Sequence, residues 1–172
     1  MDSLPDMDSL PDMDSLPDID SLPVRKNSSG GTDTFLTAIP LDDGKTIVAS
    51  DGSSISRWTV DVGRVEEVTF EGNSEHLEGI RSVSISPDGR LVATAASNRM
   101  VMIWQADSGN ALWGPLEGHR DDVYALSFSA DSKMVVSGSK DRNVWIWSAE
   151  TGQSIRGPME GHTGSVKGVC FR

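Results

Sequence analysis

From Glu117 to Met159 the chain reads EGHRDDVYALSFSADSKMVVSGSKDRNVWIWSAETGQSIRGPM, and EGHTGSVKGVCF follows directly, so Gly118-His119 recurs as Gly161-His162 after 43 residues. Stepping back by the same interval, His119 falls on His76, Val123 on Ile80, Asp131 on Asp88, Trp147 on Trp104 and Gly152 on Gly109, with no gap. A looser copy, FLTAIPLDDGKTIVASDGSSISRW, sets Phe35 against Ile80, Gly44 against Gly89 and Trp58 against Trp104. A fixed period of this length means that one supersecondary unit is stacked several times, each copy burying a face of the next.

Within a copy the local pattern is β. In the third, VYALSFS, MVVSGS, NVWIWS and SIRGPM are short apolar or alternating segments, separated by the turn signals ADSK, KDRN and AETG. Four such segments with turn chemistry between them predict an antiparallel meander, and no helical stripe competes. The second copy has a cleaner turn, Ser86-Pro87-Asp88-Gly89, with Pro preset for the first corner and Gly closing it.

The Gly-His joint, the S-P-D-G turn, the S-G-S-x-D hairpin and the tryptophan closing the third strand resemble the WD-repeat family over residues 33–172. No tryptophan here is followed by Asp: the pairs are Trp58-Thr59, Trp104-Gln105 and Trp147-Ser148. The resemblance implies an all-β fold of four-stranded propeller blades, expected at 35–70, 80–116 and 123–159. An orphan strand over Val166–Phe171 would open a further blade at 162–172. Closed propellers take about four to eight blades, so the expectation is a partial, open propeller. Further blades, a second copy or another partner would cover its ends.

The resemblance also assigns the polar residues. It implies a hydrogen-bonded set of His119, Ser137, Asp141 and Trp147 in the third blade, and of His76, Thr94, Asn98 and Trp104 in the second. Indole donates to hydroxyl, hydroxyl to imidazole, and imidazole to carboxylate or amide oxygen. Asn98 accepts from His76 but holds no charge against it, which predicts a weaker pH response there than at His119. Ser, His and Asp in one list raise the question of hydrolysis. A catalytic serine needs an exposed Oγ and an oxyanion hole, and one site suffices, whereas these residues repeat blade by blade inside strands. No catalytic residue is therefore assigned. No metal or cofactor is expected either, because the three His lie one per blade and Cys170 has no partner thiol. Cys170, in the alternation Val166, Val169, Phe171, reads as a small buried thiol. The first copy departs from the set: Gly31, Val48 or Ala49, and Gly52 replace the polar residues, and Arg57 takes the place of Ile103 and Ile146, as expected of a terminal repeat.

The His-bearing loop and the hairpin between second and third strands share a rim in a propeller, so Arg120, Asp121, Tyr124 and Lys140 should cluster there. Aromatic and Arg side chains commonly anchor interfaces. Trp145 joins them as a candidate partner-binding residue, and Trp113 is a second outward tryptophan, their counterparts being Met102 and Arg156.

The first 24 residues are four copies of one hexamer, MDSLPD, MDSLPD, MDSLPD and IDSLPV. Pro every six residues forbids a continuous helix or a central strand, and the high charge predicts disorder. Residues 25–32, RKNSSGGT, read as a Gly/Ser linker. Ser3, Ser9 and Ser15 each have Asp three residues on, the spacing of acidophilic kinase substrates, although an Asp-rich tract produces it readily. Of the formal net charge of −11, the tail supplies seven Asp, leaving 15 basic against 19 acidic residues in the rest. Without a basic face the chain is expected to bind no nucleic acid. No apolar run nears the roughly 18 residues of a membrane span, and the acidic start is unlike a secretory signal. The expectation is an intracellular protein, cytoplasmic rather than nuclear. Its function is read as a non-enzymatic scaffold or adaptor binding other proteins through rim loops. The alternatives are a structural piece or sensor tail of a larger multi-repeat signalling protein, and a subunit of an enzyme complex without catalytic residues of its own.

Overall fold

The computed structural model describes residues 37–40, 46–50, 54–61, 64–70 and 79–172. The hexamer tail, the linker and His76 lie outside the described residues.

Among the described residues, twelve strands form three four-stranded antiparallel meanders. The first sheet is β1 Thr37–Pro40, β2 Thr46–Ser50, β3 Ile55–Asp61 and β4 Arg64–Thr69. The second is β5 Ile80–Ile85, β6 Leu91–Ala96, β7 Val101–Gln105 and β8 Ala111–Trp113. The third is β9 Val123–Phe128, β10 Met134–Ser139, β11 Val144–Ser148 and β12 Ser154–Met159. The chain is all-β among the described residues, as the period of the apolar segments predicts.

In the second and third sheets the turn between the first and second strands is closed by the same side-chain device. Ser86 Oγ donates to Asp88 Oδ1 at 2.6 Å and accepts from the Leu91 amide at 2.9 Å. One period on, Ser129 Oγ donates to Asp131 Oδ1 at 2.6 Å and accepts from the Met134 amide at 3.0 Å. The tight corner needs a positive φ, which Gly89 takes at 72° and Ser132 at 62°.

Alternation along the strands gives the second sheet two apolar faces, and the first and third sheets stack on them. Val48, Ile55 and Phe70 of the first sheet meet Val92, Met102 and Trp104 of the second. The other face of the second sheet, Ala93, Ala95, Val101 and Ile103, meets Val123, Leu126, Val135 and Trp147 of the third. The polar backbone also crosses this boundary. Ser82 Oγ accepts from the Leu126 amide at 3.2 Å and Ser84 Oγ from the Phe128 amide at 3.3 Å, so β5 and β9 are stitched side by side.

The stretch Val166–Phe171 differs from expectation: it forms no strand. A strand needs a ladder, and this segment makes one ladder-like bond, from the Val166 amide to the Ser139 carbonyl at 2.9 Å. Val166 is buried against Gly138, and a Cβ added there would lie 2.6 Å from Val166 Cγ1. Cys170 is exposed rather than buried, because no sheet lies over the segment that carries it.

Candidate functional site

The third sheet carries a chain of hydrogen bonds running from its interior to its rim. Trp147, on β11, is 1% exposed, and its Nε1–H donates to Ser137 Oγ at 2.8 Å. Ser137 lies on the facing strand β10 and is fully buried. Its hydroxyl and His119 Nε2 are 2.8 Å apart, and His119 Nδ1 and Asp141 Oδ2 are 2.9 Å apart. One assignment of protons satisfies every atom: indole to hydroxyl, hydroxyl to Nε2, and Nδ1–H to carboxylate. Asp141 then collects two backbone donors, the Arg120 amide on Oδ2 at 2.8 Å and the Asn143 amide on Oδ1 at 2.9 Å.

Titration fits that assignment. Burial pushes the His119 pKa below its usual value of 6.5, against the pull of the Asp141 carboxylate, which raises it. The imidazole is therefore neutral at pH 7, and the Asp141 contact is a charge-assisted hydrogen bond rather than a full ion pair. For Asp141, burial opposes ionisation, but the Arg120 amide, His119 and the Asn143 amide outweigh it, and its pKa falls below 3.8.

This arrangement cannot act as a hydrolytic triad. Ser137 Oγ is enclosed, donates to His119 and accepts from Trp147, so no lone pair faces a substrate. Among the described residues there is no group of three or more His, Cys, Asp or Glu placed to hold a metal. No helix among them is long and apolar enough to cross a membrane.

In the second sheet Trp104 Nε1–H donates to Thr94 Oγ1 at 2.8 Å, the same indole-to-hydroxyl bond one period earlier, and both residues are fully buried. Asn98 Oδ1 accepts from the Met100 amide at 3.3 Å. The role assigned to His76 falls outside the described residues.

Above the third-sheet chain, the loop Gly118–Asp122 and the β10–β11 hairpin meet. Asp141 joins them through Arg120, the Lys140 amide donates to the Asp122 carbonyl at 2.8 Å, and Ser139 Oγ donates to the Asp121 carbonyl at 3.0 Å. Lys140 Nζ and Asp121 Oδ1 pair at 3.2 Å, both side chains nearly half exposed. That pairing raises the Lys140 pKa, while the Asp122 amide first and Lys140 next lower that of Asp121. Arg120 is exposed and Tyr124 half-buried. The structure thus brings Arg120, Asp121 and Lys140 together over Asp141.

Trp145 behaves differently. Its ring stacks on Trp147 with centroids 5.2 Å apart and planes 11° from parallel. A Cβ added to Gly157 would come 2.4 Å from Trp145 Cδ2, so Gly157 leaves the room that the ring occupies. Trp145 is packed by its own sheet and is no free anchor. The signal was in the repeat: Gly114 and Gly157 are one period apart and crowd Met102 and Trp145, themselves one period apart.

The WD40 family, described as WD domain, G-beta repeat, matches residues 66–105 and 112–148. These segments are WD40 repeats. Of the curated relatives, human U3 small nucleolar RNA-interacting protein 2 is 32% identical over an alignment of 97 residues that covers 52% of this chain and 20% of that protein. The ribosome biogenesis protein WDR12 homolog of Drosophila persimilis is 28% identical over 49% of this chain and 24% of its own length. Among solved structures, that of the RRP9 WD40 repeats aligns at a TM-score of 0.69 and 26% identity, over 81% of this chain and 43% of that one, and the structure of U3-55K aligns equally. The chain thus spans about a quarter or less of these curated relatives' length.

Two expectations change. Cytoplasm over nucleus is overturned, because the relatives are named for a small nucleolar RNA and for ribosome biogenesis. The exclusion of nucleic acid loses its support, since one relative is named for interacting with RNA, and net acidity describes a whole chain rather than one surface.

Proposed function

We propose that the chain is a non-catalytic WD40 scaffold of the kind used in ribosome-biogenesis assemblies, gripping a protein partner at the rim of its third sheet. The observation that carries this is the tie between two rim loops through Asp141, which accepts the Arg120 amide from one loop and the Asn143 amide from the other. Its buried anchor on His119, Ser137 and Trp147 removes freedom from both loops before any partner arrives. A contact made by a preorganised surface loses less ordering entropy on binding. Arg120, Asp121, Lys140 and the half-buried Tyr124 then present one aromatic group and charges of both signs. The repeats at 66–105 and 112–148 and the names of the relatives support assembly with other macromolecules in the nucleus over an enzymatic role.

The test is proximity labelling and affinity purification from the protein's own cells with the wild type and an Arg120→Glu/Lys140→Glu double variant. A shared set of ribosome-biogenesis proteins lost in the variant supports the reading. Identical partner sets for the two proteins refute the rim as the contact surface. Loss of partners from both after nuclease treatment points to RNA as the bridge.

A further inference from the structure

A second site lies away from the rim, between the end of β8 and the β11–β12 turn. It is a cavity of about 390 Å³ lined by Trp113, Pro115, Leu116, Glu117, Trp147 and the 151–154 turn. That volume falls within the roughly 300–1,000 Å³ of ligand pockets. Two of its features point one way. Of the two indoles that line it, Trp147 is nearly fully buried and Trp113 partly exposed, so Trp113 is the one that offers a ring surface. Glu117, exposed, is the one charged residue in the lining. Trp113 is held in place by Gly152, where an added Cβ would lie 2.9 Å from its Cγ, so the indole is a fixed wall.

We infer that this cavity binds an arginine side chain presented by an extended segment of a protein partner. A guanidinium is planar, stacks on an indole face and offers a fork of donors that matches a carboxylate such as Glu117. An acidic or phosphate-bearing ligand would face the Glu117 carboxylate with no basic residue in the lining to offset it. A lysine ammonium satisfies the charge but neither stacks as a plane nor forks. The inference rests on the scaffold reading, of which it names a second contact and the chemistry it selects.

The experiment uses the full chain labelled with ¹⁵N and follows the indole resonances, that of Trp113 being assigned from Trp113→Phe. Short Gly/Ser peptides with one central Arg, Lys or Glu are titrated to millimolar concentration, and a short single-stranded RNA is titrated in parallel. The expected result is a saturable shift of the Trp113 indole with the Arg peptide, binding about threefold to tenfold weaker with Lys, and none with Glu or RNA. Glu117→Gln should weaken the Arg peptide by about twofold to fivefold, a size typical of losing one exposed charge pair. It should leave the melting temperature unchanged. No saturable shift with the Arg peptide, an equal shift with the Glu peptide or with RNA, or an unchanged affinity in Glu117→Gln would each overturn the inference. The Arg120→Glu/Lys140→Glu variant separates the two proposals: if the rim reading alone is wrong, its cellular partners persist, while peptide binding at Trp113 is normal in either protein.

Discussion

Ser137→Ala is the substitution that reads the buried chain most directly. The hydroxyl accepts from Trp147 Nε1–H and contacts His119 Nε2, both at 2.8 Å, and the residue is fully buried. Removing one oxygen strands two polar atoms, an indole donor and an imidazole acceptor, in a place that water does not reach. Each buried group left unpaired costs about 1–3 kcal/mol. The imidazole regains part of that if it tilts, so a net loss of about 2–4 kcal/mol is expected. For a chain of this size that lowers the melting temperature by about 5–15 °C. Ser137→Thr keeps the oxygen, as Thr94 does at the same place in the second sheet, and should cost less than about 1 kcal/mol. Guanidinium-induced unfolding followed by tryptophan fluorescence measures both. If Ser137→Ala lies within about 0.5 kcal/mol of the wild type, the hydrogen-bonded chain is decoration and its assignment as the anchor of the rim falls.

Three further outcomes are expected. The unfolded chain takes up a proton at His119 near pH 6.5 that the native imidazole, held below that value by burial, resists; stability should be level above about pH 6.5 and decline below it, and the decline should be shallower in His119→Gln by denaturant titration at pH 5 and pH 7.5. Gly157→Ala forces a Cβ to within 2.4 Å of Trp145 Cδ2 at a backbone φ of 149°, and should cost about 2–4 kcal/mol in the same assay, with no such loss refuting the packing of Trp145. Arg142 is exposed and sits at φ 71°, so Arg142→Gly should gain about 0.5–1 kcal/mol, and a loss would mean that its side chain holds the hairpin.

The repeat made the three meanders and their stacking legible because each rests on a periodic demand: alternating apolar residues for two buried faces, a turn signal every few residues, a tryptophan at one step per copy. His119, Ser137, Asp141 and Trp147 were visible together for the same reason, each sitting at a fixed offset within a repeat. What was not legible depends on a contact between two strands of one copy, on contacts between copies, or on the absence of one. The packing of Trp145 turns on a glycine twelve residues later, a pairing that outward-facing alternation hides. The exposure of Cys170 follows from what is not stacked upon Val166–Phe171, and alternation alone cannot express that. The cavity beside Trp113 draws on two copies at once, the end of β8 and the β11–β12 turn.

The stitches between β5 and β9 give the array a direction. In both, a serine hydroxyl on the earlier sheet accepts from a backbone amide on the later one, so the two edges that meet are different in kind. A joint between unlike edges cannot be its own partner under a two-fold rotation. Copies of this chain that met through the same chemistry would add head to tail, and such growth ends only when the turn per unit closes a ring or a different partner takes the last edge.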